Sequence, residues 1–118
     1  MRGRKIMRLR IDISEVRFRV AAAARPAAKS RADQTQKTTP DGQLIWSVRL
    51  TAIDTGANSS ETIWVEVAGE EPKLTLDDLA RVDGLVFAPW VNKKNEMVRQ
   101  FRADAIVPMQ SGRSAQAA

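Results

Sequence analysis

Residues 41–67 constrain the fold more than any other stretch of this chain. The first run is Leu44-Ile45-Trp46-Ser47-Val48-Arg49-Leu50-Thr51-Ala52-Ile53, and the second is Glu61-Thr62-Ile63-Trp64-Val65-Glu66-Val67. Between them lies Asp54-Thr55-Gly56-Ala57-Asn58-Ser59-Ser60, a segment of turn formers. Two β-rich runs around such a segment predict a hairpin whose loop is longer than the tight two-residue type. Alternate residues of a strand share a face. Leu44, Trp46, Val48, Leu50 and Ala52 therefore fall on one side of the first run, and Ile63, Val65 and Val67 on one side of the second. With those apolar sides turned inward, Arg49 and Trp64 look outward from neighbouring strands. A cation beside an exposed indole on a β-surface is a platform on which a nucleobase can stack. The competing reading is a Trp64 covered by a loop beside a solvated Arg49.

Length and composition narrow the classes. At 118 residues the chain is expected to form one domain, with enough apolar residues for a core without covalent staples. It has no cysteine and no histidine. That removes disulfides, thiolate metal sites, the commonest zinc ligands and His-dependent nucleophilic machinery. A reducing cytoplasm fits this usage. No metal site, no cofactor and no catalytic set is expected. Asp77 and Asp78 are adjacent and do not converge, Glu70-Glu71 reads as a solvated turn, and no Gly-rich phosphate loop is present. No apolar stretch is long enough to span a bilayer. Ile6-Met7 is followed at once by charged residues, so no signal-peptide apolar region forms, and Met7 is an alternative start.

Charge is distributed unevenly. The formal net charge is +5 and the pI about 10.2. Residues 1–31 carry ten Lys or Arg against two acids, whereas residues 55–84 carry two against seven. Clustered positive charge beside an acidic body is the electrostatic footprint of a polyanion binder.

In chain order, residues 1–6 are expected to be a flexible basic extension, residues 7–109 the domain, and residues 110–118 a flexible tail. A first strand is predicted from Met7 to about Ala24, with a bend near Ser14. Val16, Phe18 and Val20 lie on one face and Arg17 and Arg19 on the other. Pro26 argues against a helix through the alanines before it. Residues 27–42 form a polar linker carrying Lys29, Arg31 and Lys37, which ends in a Pro40-Asp41-Gly42 turn. After the hairpin, Thr75 with Asp78 three residues on resembles a capping box. One or two helical turns are predicted there, with Leu76 and Leu79 facing the core. A fourth strand is expected over 82–91, with Gly84 marking a bulge or close backbone approach. A basic loop at Asn92-Lys93-Lys94-Asn95 leads to a fifth strand over 96–108, with Phe101, Ala103, Ala105 and Val107 on one face and Arg102 on the other.

The predicted fold is thus all-β: a five-stranded OB-fold-like Greek-key barrel with one short helix between strands three and four. An open meander or an SH3-like barrel is the alternative. The segments Gly42-Gln43-Leu44-Ile45-Trp46-Ser47-Val48, Trp64-Val65-Glu66-Val67-Ala68-Gly69, Val82-Asp83-Gly84-Leu85-Val86 and Phe101-Arg102-Ala103-Asp104-Ala105-Ile106 look like those of small proteins encoded on actinobacterial plasmids and integrative elements. Those proteins resemble OB-fold single-stranded-DNA-binding proteins. The resemblance covers about residues 7–108 and rests on pattern. It implies a single-stranded-nucleic-acid-binding module of low sequence specificity, serving plasmid or mobile-element replication or transfer. The chain lacks the long acidic-tipped tail of the typical bacterial replication protein.

OB-folds bind strands across strands two and three and the loops joining one to two and four to five. The candidate contacts are Arg17, Arg19, Lys29, Arg31, Lys37, Arg49, Trp64, Trp90, Lys93, Lys94 and Arg102. Phe18 and Trp46 fall in the core phase. Trp90 is either a second stacking residue or a lid on the barrel. Single-stranded DNA or RNA is the expected partner, no membrane is, and homo-oligomerisation would extend the binding track. The alternative function is a protein-interaction or assembly subunit. In that reading the acidic segment around Glu66, Glu70, Glu71, Asp77 and Asp78 meets the basic arm of another copy, and exposed Ile45 and Ile53 seed the contact.

Overall fold

The two runs of residues 41–67 do form a hairpin, and the rest of the chain is built outward from it. The computed structural model describes residues 4–5, 8–29 and 33–109. All regular structure within them is β: β1 (Arg4–Lys5), β2 (Leu9–Arg10), β3 (Val16–Pro26), β4 (Ile45–Asp54), β5 (Ser59–Ala68), β6 (Leu79–Asp83), β7 (Val86–Phe87), β8 (Trp90–Val91), β9 (Met97–Val98), β10 (Phe101–Ala103) and β11 (Ala105–Pro108). Eight strands make one sheet in the order β11-β6-β3-β4-β5-β10-β7-β2, and β1-β8-β9 make a small second one. Every pairing is antiparallel except that of β10 with β5, which is parallel. The main sheet is not a closed barrel, because its edge strands β11 and β2 do not pair with each other.

The alternation read from the sequence holds where the sheet is most regular. Val48, Leu50 and Val65 have no solvent exposure, and Ile63 and Val67 are buried with them. Phe18 and Val20 of β3 join this core, while Arg17 and Arg19, which alternate with them, are exposed. Trp46 and Ala52 are half-buried against it. The hairpin tip is only Thr55–Asn58, with Asn58 at φ 53° and the Ala57 amide donating to Asp54 Oδ1 at 3.0 Å. Ile45 and Ile53, expected to be exposed, are half-buried, whereas Leu44 lies before β4 and is exposed.

Three expectations are corrected. The short helix is absent. Residues 71–78 form an irregular connection with a turn at Leu76-Asp77, and Asp77 has φ 72°. Val20 takes the backbone groups a helix would have used: its carbonyl accepts from the Asp77 amide at 2.8 Å, and its amide donates to the Asp78 carbonyl at 2.9 Å. A bond to an existing strand needs no helix nucleus. Leu76 is consequently exposed and Leu74 packs on the core in its place. The expected fourth strand over 82–91 is broken into β6, β7 and β8: Gly84 turns the chain at φ 66° between the first two, and Pro89, which has no N–H for a ladder, falls between the second and third. The expected fifth strand over 96–108 is broken likewise into β9, β10 and β11.

The last of these breaks shifts a face. Ala103 and Ile106 are the buried residues of 101–108, so the inward phase slips by one at Asp104, and Ala105 and Val107 are only half-buried. The Asp104 amide donates to the Asp83 carbonyl at 2.8 Å, and its carboxylate lies over Gly84 where a side chain would otherwise be. At Gly84, where the sequence predicts a bulge or a close backbone approach, the close neighbour is the Asp104 side chain rather than a second backbone. The bend at Asp104 lets one continuous segment run beside β5 with its first half and beside β6 with its second.

Candidate nucleic-acid interface

Cross-strand partners share a face, so the register of β3, β4 and β5 assembles the outer surface row by row. One row is Arg17, Ile53 and Ser60, and the next is Arg19, Thr51 and Thr62. The third is Ala22, Arg49 and Trp64. The fourth is Arg25, Ser47 and Glu66, extended onto β10 by Arg102. The predicted juxtaposition of Arg49 and Trp64 is present: they are direct partners, and the Arg49 guanidinium lies 5.9 Å from the indole centroid. Trp64 is 39% exposed.

The nearer cation is Arg25, whose guanidinium stacks 4.2 Å from the Trp64 centroid. The sequence reading ended the first strand before this residue. In the structure β3 continues through Pro26 and reaches Arg25 by two irregularities. Between Val20 and Ala22 it advances two residues against one of β4, and between Ala22 and Arg25 three against two. Each is a one-residue bulge. The first turns the odd residues away from the outer face and the second turns them back, so Arg25 regains the phase of Arg17 and Arg19. Together they hold it back by two positions, opposite Ser47 rather than Ile45, which brings it about 7 Å nearer the Trp64 row at about 3.4 Å per residue. The shared odd phase of Arg17, Arg19 and Arg25 is the one signal in the sequence that pointed to it.

Glu66 threatened this surface with a phosphate-repelling charge, and the structure neutralises it. Lys37 Nζ donates to both carboxylate oxygens, at 3.0 and 2.8 Å, and Gln100 Nε2 donates to Oε1 at 2.8 Å. The described part of the polar linker is therefore pinned against the sheet. It is also held by Lys37 N–H to the Ala27 carbonyl, Ile45 N–H to the Lys37 carbonyl, and bridges of Ala28 with Gln36 and Thr38 with Leu44. Lys37 acts here as the partner of Glu66. Lys29 is exposed at the start of this strap, and Arg31 lies outside the described residues. A groove of about 430 Å³ opens between strap and sheet, lined by Arg25, Pro26, Ala27, Ala28, Gln34, Ser47 and Glu66.

Trp46 sits on the opposite side of the sheet and donates Nε1–H to the Gly69 carbonyl at 2.9 Å. Trp90 is half-buried in the small sheet, where β8 lies between β1 and β9. Lys93 and Lys94 are exposed at the tip of the β8–β9 hairpin. Asn92 Oδ1 shapes that tip by accepting the Lys94 and Glu96 amides, both at 2.9 Å. The structure thus brings Arg17, Arg19, Arg25, Arg49, Trp64 and Arg102 onto one sheet face, and sets Trp90, Lys93 and Lys94 on a different sheet.

Two exposed carboxylates have pKa values held below the ordinary range. Ser14 lowers that of Asp12, first through its backbone amide and then through its side chain. Thr35 lowers that of Asp33, first through its side chain and then through its amide. Both belong to turns beside the sheet. Among the described residues no three His, Cys, Asp or Glu side chains are grouped to hold a metal ion, and no helix is long and apolar enough to cross a membrane. No protein-family model, curated protein or solved structure matches the chain.

Proposed function

We propose that this protein binds single-stranded nucleic acid, with little sequence preference, across the outer face of β3, β4 and β5. The observation that carries the reading is Trp64: an indole 39% exposed in the middle of a sheet, with guanidinium groups 4.2 and 5.9 Å from its centroid. An exposed aromatic among cations suits a polymer that alternates flat bases with phosphates. The neutralisation of Glu66 by Lys37 supports it, since four exposed arginines (Arg17, Arg19, Arg25 and Arg49) then dominate the face. An OB-like framework belongs to the same proposal. It is supported by the strand order β6-β3-β4-β5, in which the fourth strand of the succession returns beside the first, as in a Greek key.

The test is a titration of fluorescent oligothymidine and of duplex DNA at two salt concentrations. Four phosphate contacts on a single strand give a log–log salt slope near −3, or about a 50-fold loss of affinity between about 50 and 200 mM salt. Tighter binding of the single strand with that slope is the expected result. No binding of any single strand at low salt refutes the proposal.

A further inference from the structure

Arg25 does more on this face than add charge. Its guanidinium is stacked 4.2 Å from the Trp64 centroid, which leaves no room for a base on that side of the indole. The position is built by the backbone, since the two bulges in β3 carry Arg25 up to Trp64. We propose that Arg25 is an exchangeable cap: it occupies the stacking surface of Trp64 in the free protein, and an incoming base displaces it onto the neighbouring phosphate. The inference rests on the single-strand reading above and specifies how that site is regulated.

Magnitudes favour the exchange. A cation over an indole at an exposed site stabilises by about two- to fivefold in equilibrium terms. A base stacked on an aromatic contributes about five- to 150-fold. The base therefore wins the surface, and the displaced guanidinium gains a charge-assisted contact with phosphate. The groove that Arg25 also lines gives the side chain a place to move. Glu66 at its floor already accepts hydrogen bonds from Lys37 and Gln100, so the freed guanidinium is left for the nucleic acid.

The test uses the full chain and two probes of equal length, oligothymidine with its normal phosphodiester backbone and oligothymidine with an uncharged methylphosphonate backbone. Arg25→Ala removes both the cap and the phosphate contact. It should weaken phosphodiester binding and make the salt slope shallower by about 0.7. It should tighten methylphosphonate binding by about two- to fivefold, the worth of the lost cap. Arg25→Lys keeps the charge and should keep the slope. Arg25 is exposed and its truncation opens no cavity, so both variants should stay folded, with Arg25→Ala melting only slightly lower through loss of the surface cation–π contact. If Arg25→Ala weakens methylphosphonate binding, the base stacks on Arg25 itself and the exchange is overturned. If that affinity is unchanged or stays undetectable, Arg25 is a plain phosphate contact and the exchange is again overturned. Loss of the salt slope in Arg25→Lys removes the phosphate destination and overturns it too. Failure of the unaltered protein to bind the phosphodiester probe at low salt refutes the single-strand reading, and the exchange falls with it.

Discussion

Trp46 and Trp64 lie on adjacent strands in opposite phases, and replacing each by alanine separates folding from binding. Trp46 points to the core side, is half-buried there, and donates Nε1–H to the Gly69 carbonyl. Truncating a buried Trp costs about 3–5 kcal/mol. Partial burial lowers the packing loss to about 2–3 kcal/mol, and the hydrogen bond adds about 1 kcal/mol. Trp46→Ala should therefore lose about 3–4 kcal/mol. Trp64 is on the outer face, so its truncation opens no core cavity. What is lost is a surface cation–π contact of about 0.5–1 kcal/mol and a cross-strand pair of about 0.2–1 kcal/mol, hence about 1–2 kcal/mol in all. Urea unfolding of both variants measures the difference. Binding should show the reverse order: Trp64→Ala weakens oligothymidine binding by about 1–3 kcal/mol, or about 5- to 150-fold, while folded Trp46→Ala binds nearly as the unaltered protein does. Bound oligonucleotide should also quench fluorescence less in Trp64→Ala. Equal stability losses for the two variants, or unaltered affinity in folded Trp64→Ala, would refute the face assignment and the stacking argument together.

Further outcomes are expected from other positions. Gly84→Ala should cost about 2–4 kcal/mol in chemical unfolding, from a left-handed backbone and from overlap with the Asp104 carboxylate; Asp104→Gly in the same chain should recover part of the loss, and no recovery would show that the overlap is not its source. Lys37→Ala should weaken oligothymidine binding more than loss of one phosphate contact predicts, because it exposes the Glu66 charge, and adding Glu66→Gln should restore most of the difference. Oligothymidine affinity should be nearly flat between about pH 5.5 and 7 at constant ionic strength, since the chain has no histidine and a terminal amine ordinarily titrates above that window; a titration in that window would mean that a shifted group controls binding. The lowered pKa values of Asp12 and Asp33 stabilise the fold above the ordinary carboxylate range, and this contribution is lost as pH falls through the lowered folded values. Asp12→Asn should flatten that acid limb in thermal melts.

Much of the hairpin and of its outer face was legible in sequence because a strand has a period of two and needs only local information. Val48, Leu50, Ile63 and Val65 turn inward, and Arg49 meets Trp64, as alternation alone required. The site was less legible than the strands. Arg25 was hidden because bulges are invisible in composition, and a proline after it reads as a strand end. Lys37 was read as a phosphate contact because its partner Glu66 is 29 positions away in the chain.

The sequence alone determined a β-dominated chain, a central hairpin with its two faces, a special backbone position at Gly84 and the absence of histidine and cysteine chemistry. Each follows from residue type or nearest-neighbour sterics. Tertiary structure alone decided where competing partners for the same backbone lie. Val20 offered the Asp77–Asp78 connection strand-edge hydrogen bonds, and the capping-box helix did not form. Asp104, held by the Asp83 carbonyl and packed over Gly84, bent the last strand and slipped its inward phase by one. Local propensities amount to tenths of a kcal/mol per residue, whereas each such hydrogen bond or packed contact is worth about 1 kcal/mol, so the long-range partner prevails wherever the two conflict.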